Sequence, residues 1–283
     1  MTSTTGPTSQ ATENGEMIDA GGIRTHYHDV GPRDGKPVLM LHGSGPGVSA
    51  WANWRLNMDA LAAAGNRVLA PDLVGFGYTE RPEGVYYSVG AWSKQVFDFM
   101  HSLGVGKAAI VGNSLGGRIA LEMAGAQPER ITRMVLMGTP GIGMTLTEGL
   151  KAVRAYQPSE ANMRKLLLDC FAVDPSIITD DLVRTRYEAS MEPRVFETYQ
   201  EMFSERHGAA NLGITEEQVR EIKTRTLLIH GREDKVIPVE VSWNMVRALA
   251  DADLSVFARC GHWTQIERSH DFNAAVNVFL AGS

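Results

Sequence analysis

The sequence predicts an α/β domain: a mostly parallel sheet of eight strands, helices on both faces, and one helical insertion. Three observations carry this. Short continuous apolar runs recur along the chain, and such runs suit strands buried on both faces. Helical patterns separate most of them, and strand–helix alternation builds a parallel sheet through crossovers. The alternation then stops between residues 141 and 213, where the spacing is helical, methionines and charges are frequent, and no buried strand is evident.

Taken in order, Met1 to Gly15 is rich in Thr, Ser and Gly and lacks the basic start and apolar core of a secretion signal, so 1–15 reads as a disordered tail. Met17 to His28 reads as two strands joined at the turn Gly21-Gly22. Pro37 to Leu41 is a buried strand ending in the loop His42-Gly-Ser-Gly-Pro-Gly47, and a helix is expected from Trp54 to Ala64. Arg67 to Pro71 is the next strand, closed by the loop Asp72-Leu-Val-Gly-Phe-Gly77. A helix over Ser88–Leu103, a strand over Lys107–Val111, a helix over Arg118–Ala126 and a strand over Arg133–Met137 follow. Beyond the insertion, strands at Thr226–His230 and Leu254–Ala258 alternate with helices at Val239–Ala250 and His270–Ala281. The expected organisation is a core over 16–140 and 214–283 and a helical lid over 141–213.

Composition narrows the function. The 283 residues carry 27 Lys and Arg against 33 Asp and Glu, a net charge of −6 that disfavours nucleic acid as a partner. No apolar run reaches the roughly eighteen residues that a membrane helix needs. Cys170 and Cys260 read as two buried thiols in a reducing compartment, which points to the cytoplasm.

The chemistry centres on Gly112-Asn-Ser-Leu-Gly116, directly after an apolar run. A Gly-x-Ser-x-Gly at a strand end is a nucleophile elbow: the serine sits on a strained turn with its hydroxyl above the sheet. Serine needs a base, and the base needs an orienting partner. Asp234 and His262 each lie just past a later strand, so the chain order is Ser114, Asp234, His262, the order of the α/β-hydrolases. Neighbouring Glu233 is expected to be solvated, Asp72 to be structural or loop-capping, and His42 to brace the glycine loop. His26, His28, His101, His207 and His270 are expected at surface or structural positions. The oxyanion hole is expected from the backbone N–H groups of Leu115 and Ser44. The glycine loop lacks the Gly-Lys-Ser/Thr and dinucleotide spacings of a phosphate cradle, and no metal-ligand spacing occurs, so neither cofactor nor metal is expected. Haloalkane dehalogenases and epoxide hydrolases of this architecture use an aspartate at the elbow, and Ser114 excludes both.

Several stretches resemble the meta-cleavage product hydrolases, which cut a carbon–carbon bond in ring-opened catechol products: His42–Trp54, Gly112–Gly117, Arg184–Ala189 and Cys260–Glu267. Asn113 before the serine and Trp263 after the histidine are the most diagnostic. Their substrates carry a 2-hydroxy-6-oxo-dienoate. By residue type alone, Arg186 is a surface charge beside Arg184, Trp263 a packing residue and Asn113 an elbow residue. The resemblance instead implies that Arg186 forks onto the substrate carboxylate, with Asn53, Asn113 and Trp263 around the dienoate end. It also implies two stages: ketonisation with His262 as proton shuttle, then acyl transfer to Ser114 and hydrolysis. Under the lid, Ile142, Met144, Leu146, Met163, Leu167, Phe171 and Val236 are candidates for an apolar pocket, although plain packing accounts for most such residues. The scarcity of clustered aromatics favours hydrogen or a small alkyl group at C6. A generic carboxylesterase and, in another class, a ligand receptor on the same scaffold are the rival readings, and the terminal strand is a candidate edge for a homodimer.

Overall fold

A computed structural model of the chain describes residues 14–192, 194–204, 206–207 and 212–282. The tail expected over 1–15 therefore lies outside the described residues except for Asn14 and Gly15. Eight strands form one sheet: β1 (Glu16–Ala20), β2 (Ile23–Val30), β3 (Lys36–Leu41), β4 (Asn66–Pro71), β5 (Ala108–Asn113), β6 (Ile131–Met137), β7 (Thr226–Gly231) and β8 (Ala252–Phe257). Their spatial order is β1-β2-β4-β3-β5-β6-β7-β8. The pairs β1–β2 and β2–β4 are antiparallel; every later pair is parallel.

This order creates the site. From β3 the chain steps outward to β4, then returns to the other side of β3 as β5. The loops after β3 and β5 therefore diverge over the same sheet edge, and such a reversal leaves a crevice at the carboxyl ends of parallel strands. The glycine loop and the serine turn both open there.

The helices are α1 (Ala50–Trp54), α2 (Met58–Ala63), α3 (Val89–Ser102), α4 (Leu115–Ala126), α5 (Glu148–Arg154), α6 (Glu160–Leu166), α7 (Asp180–Met191), α8 (Val195–Met202), α9 (Glu216–Glu221), α10 (Val239–Ala248), α11 (Thr264–Glu267) and α12 (Ser269–Ala281). Helices α5 to α9 lie between β6 and β7, and no strand interrupts that stretch among the described residues. A π-helical turn, Leu167–Phe171, continues α6. Both faces of the sheet are covered: Trp92, Phe99 and Ile119 pack on one side, Trp54, Met58 and Phe272 on the other. No helix among the described residues is long and apolar enough to cross a membrane.

The expected helix over Trp54–Ala64 is in fact two. Ser49 caps α1 through its hydroxyl, which accepts the Ala52 N–H at 3.1 Å. The break falls at Asn57, whose Nδ2 donates to the Gln265 carbonyl at 3.1 Å and to Asn273 Oδ1 at 2.8 Å. Those tethers to the C-terminal helices outweigh a local periodicity that would continue the helix.

Buried Asp72 knits the glycine-loop side of the crevice. Its Oδ1 accepts the Ala50 N–H at 2.6 Å, and its Oδ2 accepts the Tyr78 N–H at 2.9 Å and meets His26 Nδ1 at 2.8 Å. Burial opposes its charge, but these bonds and the nearby histidines hold the carboxyl below its ordinary range. Asp72→Asn places an amide NH₂ against a backbone donor, and is expected to lower stability by about 3 kcal/mol. Urea unfolding of the variant checks this.

Candidate active site

Strand β5 delivers its last residue, Asn113, opposite Met137 on β6, and the chain turns at once into α4. Ser114 bears that turn with φ 50° and ψ −113°, a conformation that a non-glycine residue holds at an expense on the order of 1–3 kcal/mol. Space explains the flanking glycines. A β-carbon on Gly112 would lie 2.6 Å from the Gly117 nitrogen, and one on Gly116 would run into the Leu41 carbonyl. Ser114 donates its own N–H to the Met137 carbonyl at 2.8 Å. Leu115 is the first residue of α4, so its N–H has no acceptor within the helix and belongs to the positive helix end.

The loop after β3 folds over this turn. A β-carbon on Gly43 would lie 2.8 Å from Asn113 Oδ1 and 3.2 Å from Ser114 Cβ; one on Gly45 would lie 3.6 Å from Arg186 Nη2. Half-buried Ser44 stands between the two. His42 fixes the loop as expected: Leu73 N–H donates to its Nε2 at 3.0 Å, so Nδ1 carries the proton and donates to the Gly43 carbonyl at 2.7 Å. Full burial pushes the His42 imidazole down, against the pull of Asp72, which keeps it neutral.

Asp234 and His262 meet in the loops after β7 and β8. Asp234 Oδ2 accepts from His262 Nδ1 at 2.7 Å, which leaves His262 Nε2 as the free ring nitrogen of the pair. Its Oδ1 accepts the Val236 and Ile237 N–H groups at 2.8 and 2.9 Å, so the carboxylate cannot swing. Burial would raise the Asp234 carboxyl, but the His262 charge and bonds from His230 and His262 win and hold it well below the carboxylate range. The end of β6 joins the two halves. Met137 takes the Ser114 N–H, and a β-carbon on the next residue, Gly138, would lie 3.1 Å from His262 Nδ1.

Around this centre lies a set of underused polar groups. Arg186, on α7, is 6 % exposed; its Nε has no partner, and no acid pairs with it among the described residues. Its guanidinium stands 5.6 Å from the Trp263 ring centroid. Burial, with the Arg55 charge adding, pushes it down to about 10, so it remains a cation at neutral pH. Asn53 is also buried, with Nδ2 unpartnered, while Asn113 Nδ2 reaches the Met137 carbonyl only at 3.5 Å. Phe171 lies 4.9 Å from Trp263 and 5.7 Å from His262, ring to ring. Phe171, Val236 and Trp263 pack in one apolar cluster, and half-buried Ile142 packs against it while its carbonyl accepts from Asn244 Nδ2 at 3.2 Å.

Glu233 stays off His262, as expected, but does more than meet solvent. It is only partly exposed, and its Oε2 accepts the Cys260 N–H at 3.1 Å, because the β7 and β8 loops cross at that point. Both cysteines are free and buried. Sequence reasoning missed His230, which is fully buried with Nδ1 2.6 Å from Ser242 Oγ and Nε2 2.9 Å from the Ile237 carbonyl and 3.3 Å from Asp234 Oδ2. It also missed fully buried Gln265, whose Nε2 reaches the Asn53 carbonyl at 3.5 Å. The four-residue spacing of His230 and Asp234 was the available signal for the first; nothing local marked the second.

The α/β hydrolase fold family matches residues 36–269. The 2-hydroxy-6-oxo-2,4-heptadienoate hydrolase of Pseudomonas putida strain F1 is 45% identical over 271 residues, 95% of this chain and 97% of that one. The 2-hydroxymuconate semialdehyde hydrolase of Pseudomonas sp. strain CF600 is 46% identical, over 95% of this chain and 94% of that one. Among solved structures, a mutant of the meta-cleavage product hydrolase CumD from Pseudomonas fluorescens IP01, complexed with acetates, superposes with a TM-score of 0.90 at 48% identity, covering 95% of this chain and 98% of the other. With identities of this size over nearly the whole chain, on a sheet and loop set of this kind, the protein belongs to the α/β-hydrolase family and, within it, to the serine-dependent meta-cleavage product hydrolases.

Proposed function

We propose that the chain hydrolyses the C5–C6 bond of 2-hydroxy-6-oxohexa-2,4-dienoates bearing hydrogen or a small alkyl group at C6, in the breakdown of aromatic compounds. The observation that carries this reading is Arg186: a buried, charged fork with no acid beside it among the described residues, next to the glycine loop. An enzyme for neutral esters has no use for such a group, whereas a dienoate brings the missing carboxylate. Asn53, Asn113 and Trp263 then contact the enol end, and Ile142 and Phe171, from the 141–213 segment that acts as a lid, line the C6 end together with Val236 of the core.

The chemistry follows from the leaving group. As a dienol the substrate offers no carbanion that can depart. His262 Nε2 takes the enol proton and returns it to C5, while the amides and the indole hold the dienolate. In the resulting ketone, the C5–C6 bond is set to break with its electron pair passing into a conjugated enolate. Ser114 Oγ loses its proton to His262 and attacks C6, and the oxygen that becomes negative faces the N–H groups of Leu115 and Ser44. Each such donor contributes about 3 kcal/mol to that state. The tetrahedral adduct expels 2-hydroxypenta-2,4-dienoate, and water deacylates the serine, giving a carboxylic acid. Water is the only co-reactant, so no cofactor is involved. The enzyme is further assigned to the cytoplasm as a homo-oligomer, with β8, at the sheet edge, as its contact strand.

A panel varying only C6 tests the reading, with a nitrophenyl ester alongside. The expected order of kcat/KM is methyl or hydrogen first, phenyl well below, and the ester last. Preference for the ester over every dienoate would refute it.

A further inference from the structure

Three backbone donors flank His262, and each is taken from outside its own turn. The Cys260 N–H donates to Glu233 Oε2 at 3.1 Å, the Gly261 N–H to Glu267 Oε1 at 2.6 Å, and the Trp263 N–H to the Phe171 carbonyl at 3.2 Å. Glu233 belongs to the same core loop as Asp234. Phe171 belongs to the insertion, where it ends the π-helical turn, a local widening often found at functional sites. The histidine turn is thus hung partly from the core and partly from the insertion.

Glu267 is what spans the two. Its other oxygen, Oε2, accepts the Val173 N–H at 2.7 Å and the Asp174 N–H at 3.1 Å. A single carboxylate therefore binds donors of the insertion with one oxygen and a donor of the histidine turn with the other. The residue sits at the end of α11, whose own start is Thr264, just after Trp263. The short path from the carboxylate to His262 has little slack.

We propose that Glu267 is a positioning residue: its carboxylate holds segment 171–174 and the His262 turn in one register, so that seating of the insertion and placement of His262 and Trp263 are a single event. This rests on the Ser114, His262, Asp234 reading, but not on the identity of the substrate. Only a carboxylate can accept on both sides. In Glu267→Gln the shape is kept, yet one side must set an amide N–H against a backbone N–H, and the clasp opens there.

The test compares Glu267→Gln and Glu267→Ala with the wild-type enzyme by thermal melting, dienoate and nitrophenyl ester kinetics, and the downfield proton resonance of the His262–Asp234 bond, assigned by its absence in His262→Ala. For Glu267→Gln, kcat on both substrates should fall together by about 10²-fold, the loss expected from a displacement of the order of 1 Å, with KM for the dienoate changed far less. The downfield resonance should shift or broaden while the variant still melts cooperatively. Wild-type ester turnover together with an unmoved resonance would overturn the proposal, even if dienoate turnover fell. The ester and the resonance do not involve the dienoate, so failure of the substrate assignment would leave this result readable. Should Glu267→Ala not fold, the isosteric glutamine variant decides.

Discussion

Ser114→Ala is expected to lower kcat on a small-alkyl dienoate by about 10⁴-fold or more, the loss seen when a serine nucleophile is removed from a complete charge-stabilising site. Binding should survive, because Arg186, Asn53 and Trp263 are untouched and alanine removes only an oxygen. The dissociation constant should stay within a few-fold of the wild-type KM, and the effect should be confined to kcat. His262→Ala should act differently. The imidazole serves both the tautomerisation and the acyl transfer, so its loss stops the reaction before the ketone forms. Stopped-flow absorbance separates the two variants. In Ser114→Ala the dienolate band should still change on binding while no 2-hydroxypenta-2,4-dienoate appears; in His262→Ala neither should occur. Equal product formation by Ser114→Ala and wild-type enzyme would remove the serine from the mechanism.

The second large effect concerns Arg186 and has two opposite parts. At neutral pH the buried guanidinium is charged, pushed down to about 10 chiefly by its own burial and next by Arg55. A base with a lowered folded value binds its proton less tightly when folded than when unfolded. The charge therefore weakens the free enzyme fully below about pH 10, and the penalty lifts only as the pH rises from there towards the unfolded value. Arg186→Met removes the charge and keeps much of the volume. The free variant is expected to be more stable by about 1–3 kcal/mol. Its KM for the dienoate should rise by about 10²-fold or more, since a charge-assisted fork is lost. Lysine should not rescue, because a point charge cannot replace two parallel donors. Calorimetry and steady-state kinetics on the same preparation check both parts. An Arg186→Met variant that melted lower and kept its KM would mean that the arginine supports the fold and meets no substrate.

What local pattern carries was readable and what crossing loops decide was not. The apolar runs at Val38–Leu41 and Ala108–Val111 declared strands buried on both faces, and the glycines around Ser114 declared a turn too tight for side chains. The bracing roles expected of Asp72 and His42 are met by bonds within their own side of the crevice, to Ala50, Tyr78 and His26 for the first and to Gly43 and Leu73 for the second. The split of α1 from α2 was hidden, since it depends on Asn57 reaching Gln265 and Asn273, more than two hundred residues away. The bond that Glu233 makes was hidden for a related reason: solvent is the default surroundings of a charge, and only the approach of the β8 loop provides the Cys260 N–H. His230 and Glu267 likewise take their meaning from partners outside their own segments. For Arg186, residue type alone suggested a surface charge on a charged helix; its burial beside the glycine loop came from packing.

The most direct measurement is the product balance with purified enzyme and 2-hydroxy-6-oxohepta-2,4-dienoate. Each dienolate lost should yield one 2-hydroxypenta-2,4-dienoate and one acetate, a conversion abolished in Ser114→Ala and slowed at sub-saturating substrate in Arg186→Met. A dienoate left intact by enzyme that rapidly hydrolyses simple esters would contradict this.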